Sequence, residues 1–517
     1  MSYTGPTMVT VDRVLGDGPF AASGCPQVAA MSPDGELVAV GGDLGSPQWH
    51  GHDVRSRSRP QPGWVPVGIY RTSDLKCDHL VMTHWPVNSI AFHPELPLVA
   101  IGTGSYDGGY AYEGELLFMD LPSGRVVSVL AEHREIRKVS WRDGRTLDVV
   151  VAPPTDEIGG ELDFTVVRDD WKDLAPRSVR PPDGPYRQGR QPDDDELAEK
   201  LRGQWQGRRR VWAVKSFSDG RILAALEGVG LECWGSDLEW SLPVDGGVGC
   251  QIFVSPEGNE ATYGAQPGRD RSAATLIERV DGNGQRIRGI GIDLPVVVVA
   301  RADGGLALRD TTYDRQAIHP TRLISPAGKV TGEIELGAYD LFNHFFDIRY
   351  APEFLMLQGM QDSWRHKWVV AAEPRGRVRR LFRLDWDGHR HLYGGPGLYV
   401  DDQLGASIVH TGSEHNIAGL LPGNAFVVRR AFPGGQMQWV FTADNTPTAI
   451  DLDGDTIYMA FNSGELVALN AESGAVVGRE FLTVAGHPVI PLSLATTGAG
   501  RLAIGLLDGR ILDCSVK

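Results

Sequence analysis

Apolar and polar positions alternate along this chain in short runs, and the runs come in pairs joined by tight polar turns. In "VNSIAFHPELPLVAIGTG" from Val87, Ile90 and Phe92 alternate with Ser89 and Ala91, a Pro-containing turn follows, and "PLVAIG" is a second run. Period-two alternation predicts strands, and the turn between them predicts an antiparallel hairpin. "GELLFMDLPSGRVVSVL" then supplies a third strand, a turn at "LPSG" and a fourth, so the unit reads as a four-stranded meander. The same grammar predicts inner hairpins at "QVAAMSPDGELVAVGG", "IRKVSWRDGRTLDVVV", "RVWAVKSFSDGRILAALEG", "CQIFVSPEGNEATYGA", "VVVVARADGGLALRD", "FDIRYAPEFLMLQG", "LYVDDQLGASIVH", "TAIDLDGDTIYMAF" and "LSLATTGAGRLAIGLL". With the Val87 unit these make ten candidates, whose second strands begin on average about every 52 residues, slightly above the roughly 40 to 50 expected of propeller blades.

The repetition extends to wording. "ELLFMDLPSGRVVSVL" from Glu115 and "ELVALNAESGAVVGRE" from Glu465 share Glu, Leu, Ser, Gly, Val and Val, with Asp120 where Asn470 stands. Each hairpin is apolar on at least one face, and a lone four-stranded sheet cannot bury both faces. Radial packing of sheet on sheet solves this and leaves few edges. The pattern therefore predicts an all-β chain: a β-propeller of four-stranded antiparallel blades, seven to ten in number. "TMVTVDRVL" is the natural outer strand for the last unit, which ends at "GRILDCSVK" after three strands, so the N-terminal strand closes the ring. No linker-like break lies near the middle, which favours one large propeller over residues 7–517.

"HWPVNSIAFHPELPLVAIG" from His84 and "HREIRKVSWRDG" from His133 resemble the opening and first two strands of WD40 repeats, "GHPVIPLSL" from Gly486 fits more loosely, and "GELVALNAESGAVVGRE" looks equally like quinoprotein-type repeats. The Trp-Asp dipeptide occurs once, at Trp386-Asp387. The resemblance implies a divergent WD40-like or quinoprotein-like propeller of bacterial type. It implies a structural, intra-blade role for His84, His133 and His487, and it implies no single function, because propellers host enzymes, receptors and scaffolds alike.

Two departures from regularity point to function. Residues 153–210 exceed the spacing of the repeat. They hold the Pro/Arg-rich "APRSVRPPDGPYRQGRQP", which has no core-forming pattern, and "DDDELAEKLRGQWQGRRR", which predicts an amphipathic helix over 193–206 with Leu197, Leu201 and Trp205 on one face. This helix reads either as a cover docked on its own propeller or as a partner-binding arm anchored by Trp205 and rimmed by Arg208, Arg209 and Arg210. Several connections between second and third strands are long and aromatic, which displays Trp49, Trp64, Tyr106, Tyr110, Tyr112, Trp364, Arg365 and His366 on one face. Tyr, Trp and Arg are the residues that protein interfaces use as anchors.

Composition adds boundaries. Hydrophobic residues are 42% and charged residues 22% of the 517, enough for a packed core, and 64 Gly and 33 Pro suit many short strands. The formal charge of -16 and pI near 5.4 oppose nucleic acid and anionic membrane as partners. The longest apolar run, Leu294 to Ala300, has the length of one buried strand, and the N-terminal residues have no signal-peptide pattern, so a cytoplasmic protein is expected. Five isolated cysteines without CxxC spacing predict neither disulfides nor a zinc site. His50 and His52 in "WHGHD" are a His-x-His pair that His410 or His415 could join, but a pair in a polar loop does not earn a metal assignment. "DLDGDTIYMAF" starts like a calcium loop, yet Asn462 stands where the bidentate Glu belongs, which predicts a hairpin turn. No nucleophile elbow or P-loop is present. No cofactor, metal or catalytic residue is therefore expected. The function read from the sequence is a non-catalytic scaffold holding protein partners in a larger assembly. A hydrolase or lactonase-type enzyme with a site in the central channel, and a propeller recognising a carbohydrate or peptide, are the alternatives.

Overall fold

The structure, a computed structural model, describes residues 8–44, 65–106, 109–189, 195–244, 247–267, 275–292, 296–310, 320–336, 348–360, 363–373, 376–384, 391–416 and 419–517. Among these the chain is all-β apart from one short helix, and its main strands form ten antiparallel sheets of three to five strands. Nine of the ten hairpins expected from the sequence form, each in a different sheet; in the tenth, "FDIRYAPEFLMLQG", the two strands go to different sheets. Where the sequence favours a single propeller, the described residues divide into two compact units, 8–16 with 209–517, and 17–208.

The larger unit holds seven sheets. Sheet A comprises Val211–Ser216, Ile222–Leu226, Gly230–Trp234 and Leu238–Pro243; sheet B comprises Gly247–Val254, Glu260–Pro267, Thr275–Asp281 and Arg286–Ile292; sheet C comprises Val296–Ala300, Leu306–Asp310, Thr321–Ile324 and Val330–Ile334. Sheet D has three strands, Phe354–Met360, Ser363–Ala372 and Val378–Leu384. Sheet E comprises His391–Asp402, Gly405–Asn416, Gly419–Ala431 and Met437–Ala443, with Ile348–Arg349 added in parallel to its first strand. Sheet F comprises Pro447–Asp453, Thr456–Phe461, Glu465–Asn470 and Val476–Phe481. Sheet G comprises Pro491–Gly498, Arg501–Leu506 and Ile511–Val516, and Val9–Leu15 pairs with the last of these as its outer strand.

Each sheet packs on the next, and the last packs on the first. Leu223, Ala225, Leu231 and Cys233 of sheet A meet Ile252 and Tyr263 of B. Gln251 of B accepts from the Val298 amide of C at 2.9 Å, Val297 and Val299 of C pack with Phe354 and Met356 of D, and Leu355 and Val369 of D with Ile408 of E. Val409 and Val427 of E join Ile450 and Met459 of F, and Tyr458 and Ala460 of F join Leu494 and Leu502 of G. Ala495 and Ala503 of G then reach Val211 and Ala224 of A, where the Ser493 hydroxyl donates to the Val211 carbonyl at 2.8 Å. The second strands are apolar on both faces because each is sandwiched between two neighbours; "ILAAL" of sheet A sends Ile222, Ala224 and Leu226 to G and Leu223 and Ala225 to B.

The glycine in two of the third-to-fourth turns has a packing reason. Trp240, on the fourth strand of A, lies over Gly284 of B, and Trp439, on the fourth strand of E, lies over Gly474 of F; a Cβ at either glycine would stand 2.7 Å from the indole. Both glycines also hold positive φ, 76° and 70°, which a side chain would strain.

The smaller unit holds sheet X (Cys25–Met31, Leu37–Asp43, Val65–Arg71, Cys77–Thr83), sheet Y (Val87–Phe92, Leu98–Thr103, Leu116–Asp120, Val126–Ser128) and sheet Z (Ile136–Asp143, Thr146–Val151, Leu162–Val167). Ile69 of X packs with Ile101 of Y, and Phe118 of Y with Val149 of Z. The far face of X is covered by Phe20 and by the helix Glu196–Arg202, shorter than the expected 193–206, which lays Leu197 and Leu201 on Val38, Val40 and Tyr70 with Trp205 just beyond its end. Asp195 caps the helix by accepting from the Ala198 amide, and it also accepts from the Ala29 amide at 2.8 Å, tying the helix start to the sheet. The far face of Z is polar instead: Arg142 and Thr165 both donate to Asp148 at 2.8 Å. One end of this stack is thus capped by a helix and the other by its own polar side chains, as the ends of repeat arrays require.

Candidate functional site

Three places in the described residues gather functional side chains. The first is the face of the smaller unit that carries the second-to-third connections. Ser105–Tyr106 and Tyr112–Glu113 pair as a two-stranded ribbon, so the glycine-rich connection of sheet Y is an ordered projection. The Tyr106 and Tyr112 rings lie 5.1 Å apart, and Arg137 stands 5.4 Å above Tyr112. Residues 155–157 hold the ribbon from the side. The Asp156 amide donates to the Tyr110 carbonyl at 3.0 Å, the Tyr106 hydroxyl donates to Asp156 at 2.8 Å and the Tyr110 hydroxyl to Glu157 at 3.2 Å. Tyr106 is nevertheless 36% exposed and Tyr110 49% exposed. Beside them in the chain's fourth-to-first connections, Trp85 lies 5.6 Å from both His84 and His133. The Glu115 carboxylate, 3.4 Å from His84 Nδ1, raises that imidazole's pKa above its ordinary value.

The second place is a cleft of about 260 Å³ between sheets D and E. It exists because the strands of E run to 12 and 13 residues and outreach those of D. Leu357, Leu384, Phe426 and Val428 wall it, and His410, Glu414, Asn424 and Arg430 are its polar groups. Arg430 Nε donates to His410 Nε2 at 3.3 Å, and burial pushes the His410 pKa down to about 3, so the ring is neutral. The folded pKa lies below the unfolded value near 6.5, so this histidine's stabilisation is complete above that pH and is lost as pH falls toward 3. His93 acts in the same direction. It bridges Y to Z by donating from Nε2 to the Gly144 carbonyl at 3.0 Å, it accepts two backbone amides at Nδ1, and burial lowers its pKa. We expect the urea midpoint to fall between pH 7 and pH 5, with the His410→Asn variant showing a shallower fall. The His410 contribution approaches about 1.4 kcal/mol per pH unit.

The third place is the middle of the seven-sheet unit. First strand meets first strand between A and B, C and D, E and F, F and G, and G and A, and these strands surround it. The segment 348–351 enters this middle. Its strand leaves sheet D, where the sequence expects it, and pairs with sheet E. Arg349 forms an ion pair with the buried Asp451 of sheet F at 2.8 Å, the Tyr350 hydroxyl donates to Asp451 at 3.0 Å, and Asp451 also accepts the Thr496 amide of sheet G at 2.9 Å. The Ala302 amide of the sheet C hairpin donates to the Ala351 carbonyl at 2.8 Å. One short segment thus joins C, E, F and G.

The residues singled out in the sequence separate accordingly. Tyr106, Tyr110 and Tyr112 come together. Trp49 and Trp64, with His50 and His52, lie outside the described residues; Trp364, Arg365 and His366 fall in the strand Ser363–Ala372, with their side chains outside the description. Trp205 is half-buried against sheet X, Arg208 is buried, and Arg210 pairs with Glu227 at 2.8 Å and lies 5.6 Å from the Trp212 ring, so of the expected basic rim Arg209 alone is exposed. The Pro/Arg-rich stretch contributes to the core after all: Val179 is buried and exchanges backbone hydrogen bonds with Val129 and Ala131. "HTGSEHNIAGLLPGN", expected as a long loop, is the extension of the two middle strands of sheet E. Asp451–Phe461 contains the expected hairpin turn. His84 meets Glu115 within its own unit, the His133 ring lies tilted against Trp85, and His487 lies in a two-stranded ribbon with Thr483–Val484. Among the described residues no group of three His, Cys, Asp or Glu is placed to hold a metal ion, and no helix is long and apolar enough to cross a membrane.

The blades are those of a β-propeller. No family model matches the chain, and no curated protein matches it. Among solved structures it is similar to BamB from Moraxella catarrhalis, at 13% identity over 58% of this chain and 95% of that one, with a TM-score of 0.37.

Proposed function

We propose that this protein is a binding scaffold and that the Tyr106–Tyr110–Tyr112 face of the smaller unit holds an extended basic segment of a protein partner within a larger assembly. The observation that carries the reading is the pairing of exposure with restraint: Tyr106 and Tyr110 face solvent while their hydroxyls and ribbon backbone are tied to residues 155–157. Aromatic rings already fixed in place lose little entropy on binding and serve as interface anchors. Asp156 and Glu157 are exposed beside them, which favours lysine and arginine on the partner through ion pairs and cation–π contacts. The helix Glu196–Arg202 is left out of this interface because its apolar side is used on sheet X.

The test places a photo-reactive phenylalanine derivative at position 110 in the native host and identifies what is cross-linked, beside the Tyr106→Ala/Tyr110→Ala variant. A protein captured at position 110 and bound at least 10-fold more weakly by the double variant supports the reading. Capture of the same protein with unchanged affinity in the double variant, or no capture at position 110, overturns it.

A further inference from the structure

Sheets X and Y each carry a fourth strand outside their third; sheet Z ends at its third strand, Leu162–Val167. The register shows what this leaves open. The Arg168 amide donates to the Arg145 carbonyl, so residues 162, 164 and 166 exchange hydrogen bonds with the second strand of Z. The backbone groups of Asp163, Thr165 and Val167 then point outward, and among the described residues none of them meets a backbone partner. The same edge is paired two positions before Asp163, where Glu161 and Arg187 exchange two antiparallel hydrogen bonds of 2.8 Å; among the described residues the chain leading into Arg187 makes no backbone bond to Asp163, Thr165 or Val167. Asp163 and Thr165 are exposed, and Val167 is 63% exposed.

The protein's own residues 171 to 179 are committed elsewhere. Trp171 is inserted between Phe118 and Trp141, at 5.5 and 4.7 Å, and Val179 is paired to the end of sheet Y. A second copy fits poorly, because antiparallel self-pairing about Thr165 sets Asp163 opposite Val167 and brings two chains of formal charge -16 together. We propose that this edge is a strand-addition site, separate from the tyrosine face, at which an extended basic segment of a protein partner becomes the fourth strand of sheet Z. Its side chains beside Phe164 and Val166 join the apolar layer facing sheet Y and are apolar; those beside Asp163, Thr165 and Val167 face water, with a lysine or arginine opposite Asp163. Exposed Asp170 at the strand's end favours the same charge.

The probe is a ten-residue peptide alternating valine and lysine, with a copy N-methylated at alternate amides as the control that cannot extend the ladder. Binding to the full chain is read by fluorescence anisotropy and by hydrogen exchange at residues 163, 165 and 167. The expected result is saturable binding that protects those three amides and weakens at least 10-fold with the N-methylated peptide and in Thr165→Pro. That proline removes an outward N–H alone, which an edge strand tolerates. The Tyr106→Ala/Tyr110→Ala variant is expected to bind the peptide as the unmodified chain does. Absence of binding overturns the proposal, as does binding indifferent to N-methylation. A dimer whose three amides are protected without peptide assigns the edge to a second copy and overturns it equally.

Discussion

Replacing Arg429 by alanine is expected to cost about 3 to 5 kcal/mol, read as a lower urea midpoint of the seven-sheet unit. Arg429 is 0% exposed, yet it is charged. Its guanidinium donates to both Asp402 oxygens at 2.8 and 2.6 Å, to the Ser407 hydroxyl at 2.9 Å and to the Ala471 carbonyl at 2.7 Å. Three of these bonds lie within sheet E and the fourth crosses to sheet F. The substitution therefore opens a cavity, leaves the Ala471 carbonyl to the Trp439 indole N–H at 3.0 Å and removes one joint between blades. The pair with Asp402 also holds that carboxyl below its ordinary pKa, so the variant is expected to lose part of the acid sensitivity near pH 4. In Asp402→Ala/Arg429→Ala the cost should fall short of the sum of the single changes, because the partners act as one unit.

The second large effect is expected at Asp451, where alanine should also cost about 3 to 5 kcal/mol. Arg349 would remain at the centre of the seven sheets with its counter-charge gone, and the Tyr350 hydroxyl and Thr496 amide would lose their acceptor. Tyr350 sits at φ 65°, in the left-handed region that a tyrosine avoids, and its bond to Asp451 helps hold it there. Hydrogen exchange should accordingly rise over residues 348–351 before the rest of the unit loosens. Asp451→Asn keeps an acceptor without the charge and should fall between the two. A variant as stable as the unmodified chain would mean that the segment is held by its backbone pairing to sheet E.

The hairpins were legible because a strand between two others must be apolar on both faces, and a polar turn must follow. How many sheets share a unit was less visible, since "ILAAL" at Ile222 and "LVAIG" at Leu98 report burial on two sides without naming the neighbours. One signal of the division was present: "IRKVSWRD" exposes Lys138, Ser140 and Arg142 on one face, the mark of a sheet with water on one side. The clustering of Tyr106, Tyr110 and Tyr112 in one connection was legible from loop length and residue type. The cleft between D and E was not, because its lining comes from six strands over 85 residues, Leu357 to Thr442, and period-two patterns do not show where one sheet overhangs the next. The crossing by Arg349 and Tyr350 was hidden for a related reason: "FDIRY" has the alternation of a first strand, and nothing local says which sheet will take it.

The pairing of Val9–Leu15 with Ile511–Val516 also has a consequence for the order of assembly. The two strands are separated by about 500 residues, which a ribosome adds in roughly 25 to 100 s. Throughout that interval the N-terminal strand has no partner, while the strands of sheets X, Y and Z, encoded next, pair within their own sheets. The smaller unit can therefore mature during synthesis, whereas the larger one can latch only after Ile511–Val516 leave the ribosome. A nascent chain halted before Ile511 would display an unsatisfied strand at Val9–Leu15, the species most exposed to mispairing and to recognition by chaperones.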